Sequence, residues 1–171
     1  MSSPTLISVA EYVATSYRPD CDYVDGEIQE RNLGESEHSI LQAAITAWFW
    51  NHRQEWNIQV RPEQRVQVSP VRFRVPDICL LDAKQSREPI LTTPPMVCIE
   101  LLSKDDTLRN MRDRVNDYLV FGTEHVWILD PASREAFVCT RRGFSSPSSG
   151  HLTVTGTRIF LPLTETFRAL D

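Results

Sequence analysis

No stretch of this 171-residue chain approaches the ~20 consecutive apolar residues that a membrane-spanning helix needs. A membrane partner is not expected. The opening residues, Met1-Ser2-Ser3-Pro4, lack a basic segment followed by an apolar one, so no secretory signal is read and a cytoplasmic location is expected. Cysteine is scarce. Cys21, Cys79, Cys98 and Cys139 are widely spread with no C-x-x-C pair, which argues against a zinc site. A reducing compartment argues against a disulfide framework, and Cys79 and Cys98 lie in apolar runs where they read as small core residues. Positive charge is in the minority: 18 Lys and Arg against 23 Asp and Glu leave a net charge of -5. Bulk charge therefore cannot hold nucleic acid, although a bound cation and a local basic patch can offset a negative whole. Ser103 lacks the G-x-S-x-G elbow of a hydrolase nucleophile. Repeats, low-complexity tracts and linkers are missing too. Residues 1–171 are expected to form one domain, with enough chain for a proper core.

What the chain does have is two acids in costly places. Met96-Val97-Cys98-Ile99-Glu100-Leu101-Leu102-Ser103 is an apolar run bounded by Pro94-Pro95 and by Lys104-Asp105-Asp106. Its length and β-branched content favour a buried strand. Glu100 within it needs a partner or a cation, because an unpaired buried charge is strongly unfavourable. Arg72 to Leu81 repeats the pattern as a second strand, with Asp77 in its middle. Two such strands joined by one loop predict a hairpin-like pair whose carboxylates meet, which is how a sheet builds a divalent-metal site.

The remaining segments predict an α/β fold with a central mixed β-sheet flanked by helices. Ser8 can cap a short helix to Tyr17, with Glu11 in the capping-box position. Asp22 to Gln29 reads as a strand or hairpin turning at Asp25-Gly26. After a break at Leu33-Gly34, a helix from about Ser36 to Glu55 carries the stripe Ile40, Leu41, Ala44, Ile45, Trp48, with His38 on one edge in its first turn. Asn57–Val60 and Gln64–Val68 read as consecutive strands bent at Arg61-Pro62. Ala83 to Pro95 reads as a polar loop. A helix from about Asp105 to Phe121 can be capped by Asp105 or Asp106 and buries Leu108, Met111, Val115, Tyr118 and Leu119. His125 to Pro131 is a buried strand, and a strand–helix–strand order implies that it runs parallel to the Glu100 strand. Glu135–Arg141 reads as an outer strand, Gly143–Gly150 as a turn, Leu152–Thr155 as a strand pairing back, and Leu161–Thr164 as the lead into a short terminal helix.

In this order the segments resemble the core of PD-(D/E)XK nucleases, and within that superfamily the bacterial Uma-two family of putative restriction endonucleases. The resemblance rests on Asp25-Gly26-Glu27, His38, Arg74-Val75-Pro76-Asp77, Pro94-Pro95 leading to Glu100-Leu101-Leu102-Ser103, Tyr118, Gly122 and Val126-Trp127-Ile128-Leu129-Asp130-Pro131. It covers nearly the whole chain. It implies a metal-dependent endonuclease hydrolysing phosphodiester bonds in nucleic acid, with DNA as the expected partner. It implies that Asp77 and Glu100 hold Mg2+, with Mn2+ as a substitute. The superfamily's lysine, two residues after the Glu, is replaced here by Leu102. Family members resemble one another in a cation displaced onto the following helix, and the matching position is Arg114, one turn before Tyr118. Arginine stays protonated, so it can hold a phosphate but cannot act as a base. His38 would assist as a proton or phosphate contact.

Plainer readings stand beside these. Asp77 could cap a turn after Pro76, and Glu100 could pair with Arg74 in a metal-free ion pair. His38 could be a capping histidine, and Glu27 a solvated strand residue. Arg112 and Arg114 could be surface partners of Asp113, Asp117 and Glu124; helical register alone does not choose between them. Trp48, Trp50, Trp56 and Trp127 are core or interface before they are stacking platforms. A homodimer is expected if Phe49 and Trp50 form an aromatic surface that needs covering. Two other functions stay open: a non-catalytic binding module of the same fold, and a hydrolase of a small phosphorylated substrate.

Overall fold

The computed structural model describes residues 6–31, 35–106 and 108–171, without the side chain of residue 108. The Leu33-Gly34 break and the place of the Leu108 side chain in its helix stripe lie outside the described residues, as does residue 107, which separates the expected caps Asp105 and Asp106 from the helix that follows. In chain order the elements are α1 (Val9–Ala14), β1 (Asp22–Val24), β2 (Glu27–Gln29), α2 (Ser36–Trp56), β3 (Ile58–Pro62), β4 (Val66–Ser69), β5 (Arg72–Arg74), β6 (Ile78–Asp82), β7 (Val97–Leu101), α3 (Leu108–Phe121), β8 (His125–Asp130), β9 (Glu135–Thr140), β10 (Gly143–Ser145), β11 (His151–Thr153), β12 (Phe160–Pro162) and α4 (Leu163–Arg168). The architecture is α/β, with a six-stranded mixed sheet ordered β10-β9-β8-β7-β6-β3. β7 and β8 run parallel through the α3 crossover, and β6 and β7 are antiparallel.

Strand periodicity sends alternate residues of the central strands to opposite faces. Ile78, Leu80, Ile99 and Leu101 pack on one face with Leu41, Ile45 and Phe49 of α2. Those three recur every fourth residue and are fully buried, each contributing about 2 kcal/mol of apolar burial. Cys79, Leu81, Cys98, Val126 and Ile128 pack on the other face with Met111, Val115 and Tyr118 of α3. All four cysteines are buried and free. A smaller sheet, ordered β2-β1-β5-β4, stands beside the large one, and β11 pairs with β12.

Several expectations need correction. The segment from Arg72 to Leu81 is two strands in two sheets, broken at Val75-Pro76-Asp77. Proline has no N–H for a ladder, and the Val75 N–H donates to Asp22 Oδ1 at 2.9 Å instead. Asp77 therefore sits at the break and not mid-strand. β3 and β4 likewise belong to different sheets: β3 pairs with β6 and β4 with β5. Gly143–Ser145 is not part of a turn but an edge strand outside β9, and β11 pairs with β12 rather than back onto β9. The first helix ends at Ala14. Phe49 is buried in the core and so forms no aromatic surface, whereas Trp50 is 51% exposed with Arg53 stacked over its ring at 3.9 Å.

Candidate active site

The β6–β7 ladder pairs Ile78 with Ile99, Cys79 with Cys98 and Leu80 with Val97. One residue further in the same register, Asp77 faces Glu100. Directly opposed residues of an antiparallel pair share a face. Asp77 extends the row of Leu81 and Cys79, and Glu100 the row of Cys98; Glu100 meets α3, and the Asp77 carboxylate is met by Arg31, the Leu101 N–H and His38 of α2. Asp77 is 2% and Glu100 0% exposed.

Each carboxylate is held by named partners. The Leu101 N–H donates to Asp77 Oδ2 at 2.7 Å, and His38 Nε2 stands 3.4 Å from the same oxygen. Arg31 Nη2 donates to Asp77 Oδ1 at 2.5 Å. Gln42 donates to the Asp77 carbonyl at 3.0 Å. His38 and Gln42 are one turn apart in α2, so the start of that helix grips the strand break from the side. On Glu100, the Tyr118 hydroxyl donates to Oε1 at 2.6 Å and Arg114 Nη1 to Oε2 at 3.1 Å. Positions 114 and 118 are one turn apart on α3, which is why both reach the same acid.

Behind these lies a second layer from the small sheet. Asp22, 0% exposed, accepts from Arg74 Nη1 at 2.9 Å and lies 3.3 Å from Arg114 Nε. Arg74 also donates to Asp117 at 2.7 Å, and Arg72 joins Asp117 at 2.9 Å and Asp25 at 2.5 Å. Asp22, Asp25, Asp77, Glu100 and Asp117 thus face Arg31, Arg72, Arg74 and Arg114. Protonation of His38 would balance that set.

The electrostatics follow from burial and neighbours. Burial pushes the Glu100 carboxyl up to about 7, against the pull of Arg114 and with the help of the Asp77 charge. Burial also acts upward on Asp77, but the hydrogen bond from His38, the Arg31 charge and the Leu101 N–H carry it below the usual carboxylate range. The Asp77 hydrogen bond raises the His38 imidazole above its ordinary value against desolvation. Two acids with opposite shifts side by side is a pattern characteristic of functional sites, though ion-pair networks produce it too.

Asp77, Glu100, Arg114 and His38 are therefore brought together. Arg114 is the arginine of α3 at this site: its side chain is 14% exposed, whereas Arg112 is exposed. Arg74 does not pair with Glu100 but with Asp22 and Asp117. Glu27 makes no contact with the two acids among the interactions of the described residues. Asp22, Arg31 and Gln42 are participants that sequence reading missed, whereas Arg74 and Asp117 were weighed with other partners and Tyr118 as part of the family resemblance and of the buried helix face. Asp22 could have been found, because Cys21-Asp22-Tyr23-Val24 is another apolar run holding one acid. Arg31 could not, since Glu30-Arg31-Asn32 is an ordinary polar stretch. A cleft of about 790 Å³ opens beside His38, lined also by Glu35, Ser103, Lys104, Asp130 and Arg134.

A mixed sheet thus presents two buried acids and a helix-borne cation at one end. The family model Uma2, described as "Putative restriction endonuclease", matches residues 9–164, and the chain belongs to that family. Among solved structures, the chain is similar to a crystal structure described as "a putative nuclease belonging to DUF820 from Anabaena variabilis", with 19% identity, 96% of this chain and 99% of that chain covered, and a TM-score of 0.82. That likeness shows the fold. A cryo-electron-microscopy structure of a DrdV–DNA complex aligns over 75% of this chain and 10% of that one, with 14% identity and a TM-score of 0.44, and carries no argument here. No curated protein matches significantly. No helix among the described residues is long and apolar enough to cross a membrane.

Proposed function

We propose that the protein is a divalent-metal-dependent endonuclease that hydrolyses phosphodiester bonds in nucleic acid, with DNA as the substrate. The observation that carries this reading is the facing of Asp77 and Glu100 with Arg114 3.1 Å from Glu100. The donor set fits a hard cation. No cluster of three or more His, Cys, Asp or Glu side chains suited to a metal occurs among the described residues, and Mg2+ characteristically takes only one or two carboxylates and completes its shell with water and substrate phosphate. Asp77 and Glu100 would hold it, and Mn2+ would substitute. When bound, the ion would polarise the phosphodiester and lower the pKa of a water.

The chain's own residues have separable tasks. Arg114, permanently charged, holds negative charge developing on the phosphate and cannot take a proton. Asp22 fixes the other side of that guanidinium. His38, tilted toward its protonated form by Asp77, supplies a proton or a phosphate contact from the cleft side. Leu102 in the usual lysine position leaves Arg114 as the cation nearest Glu100 on the following helix. Assembly as a homodimer belongs to the same proposal and rests only on the exposed Trp50 of α2.

One observation favours a second reading. Every carboxylate oxygen of Asp77 and Glu100 has a partner within the chain, which would suit a non-catalytic module of this fold. The test is cleavage of DNA and RNA with Mg2+ or Mn2+ by the wild type, Asp77→Asn and Glu100→Gln, each checked for folding by circular dichroism. Metal-dependent cleavage lost in both variants supports the endonuclease. Cleavage surviving both variants, or no cleavage by the wild type, overturns it.

A further inference from the structure

The Arg31 guanidinium occupies a place that matters to any ion at this site. It ion-pairs with Asp77 Oδ1 at 2.5 Å, and its side chain is 10% exposed. The two oxygens of Asp77 are not equivalent. Oδ2 accepts the Leu101 backbone N–H at 2.7 Å, and that donor is fixed in β7 and cannot withdraw. Oδ1 is held by a long, flexible side chain instead. A cation seeking an oxygen of Asp77 must therefore compete with Arg31 and not with the strand. The same guanidinium has an outer perch: Nη1 lies 3.9 Å from Glu63 Oε1, on a side chain 56% exposed. The guanidinium thus already spans an inner and an outer carboxylate.

We propose that Arg31 is an internal cation competing with a divalent metal ion for Asp77 Oδ1, a gate on the site rather than a ligand of it. The inference rests on the reading of Asp77 and Glu100 as metal-holding acids. Charge counting supports it. The cluster already sets four arginines against five acids, so a divalent ion arriving without departure of a guanidinium would leave excess positive charge in a buried place, which is unfavourable. Arg114 is tied on both sides, to Glu100 and Asp22. Among the ion pairs of the described residues, Arg31 is the arginine on Asp77, and its second partner, Glu63, lies outward at the surface.

The experiment is Mn2+ binding, followed by calorimetry and by electron paramagnetic resonance of free Mn2+, to the full chain as wild type, Arg31→Gln and Asp77→Asn. Arg31→Gln is expected to bind Mn2+ about 10-fold more tightly than the wild type, the scale of an ordinary site-to-site coupling. Unchanged or weaker binding by Arg31→Gln overturns the gate. Should Arg31→Gln fail to fold, the wild type itself provides the measurement. The Arg31 Nε–H signal, assigned from the spectrum of Arg31→Lys, is expected to shift on addition of Mg2+, and a signal that does not move overturns the gate. Mn2+ binding that persists in Asp77→Asn, or that is absent from all three proteins, overturns the metal reading beneath it as well. Binding lost in Asp77→Asn but indifferent to Arg31 sinks the gate alone.

Discussion

Replacing Glu100 with glutamine tests whether the site is electrostatically loaded in the way its geometry demands. Glu100 has no exposed surface, and its carboxyl is pushed from an ordinary 4.5 up to about 7, chiefly by burial. Between those two values the unfolded chain surrenders a proton that the folded chain keeps, so stability falls as pH rises from about 4.5 to about 7. At about 1.4 kcal/mol per pH unit the fall amounts to about 3 kcal/mol. Glutamine retains an oxygen for the Tyr118 hydroxyl and cannot ionise. Glu100→Gln should therefore abolish this fall, and above neutral pH it should be the more stable protein. His38 adds a slope of its own. Its raised pKa gives stability that is present in full below ~6.5 and is lost as pH rises through the folded value, in wild type and variant alike. Urea unfolding followed by tryptophan fluorescence, in chelator, from about pH 5 to about pH 8, reads both proteins. The expected result is a wild type that loses about 3 kcal/mol more than the variant over that range. Parallel curves would refute the claim that Glu100 is held against its charge.

Asp22→Asn removes the charge that Arg74 and Arg114 share while keeping an oxygen for the Val75 N–H; breaking a buried pair of this kind should cost about 3 kcal/mol in urea unfolding, and a loss below about 0.5 kcal/mol would mean that Arg74 finds enough in Asp117. Gly122, at φ +116° after α3 with the Pro94 ring 3.2 Å from where a Cβ would stand, should lose about 1–3 kcal/mol on substitution by alanine, and an unchanged denaturation midpoint would contradict that strain.

How much of this was legible in the residues can be judged element by element. The pattern of one acid inside an apolar run marked Asp77 and Glu100, because burying a carboxylate in a strand is costly enough to need a reason. The stripe from Leu41 to Phe49 and the strand–helix–strand order from Val97 to Asp130 were equally readable, since helix period, strand length and crossover handedness are local or nearly so. What the chain order could not say is which strand meets which. Arg72–Arg74 and Ile78–Asp82 read as one strand, and only the sheet pairing separates them. Glu135–Thr140 and Gly143–Ser145 show the same limit: a short edge strand rich in Gly and Ser has no signature that distinguishes it from a turn.

Sequence alone marked the two acids and the layering of helices about a mixed sheet, which follow from hydrophobic period and from the energetic oddity of charge among apolar residues; the cation on the following helix came only from the family resemblance. Only the tertiary structure decided that Arg31, remote in the chain and unremarkable in its surroundings, closes on Asp77, and that Asp22 holds the far side of the Arg114 guanidinium that reaches Glu100. It also turns Arg114 inward and leaves Arg112 exposed, a choice that helical register left open and that the resemblance alone had made. Ion pairs across 46 residues, as between Arg31 and Asp77, depend on where loops and sheet edges come to rest, and that position is set by packing that no local pattern encodes.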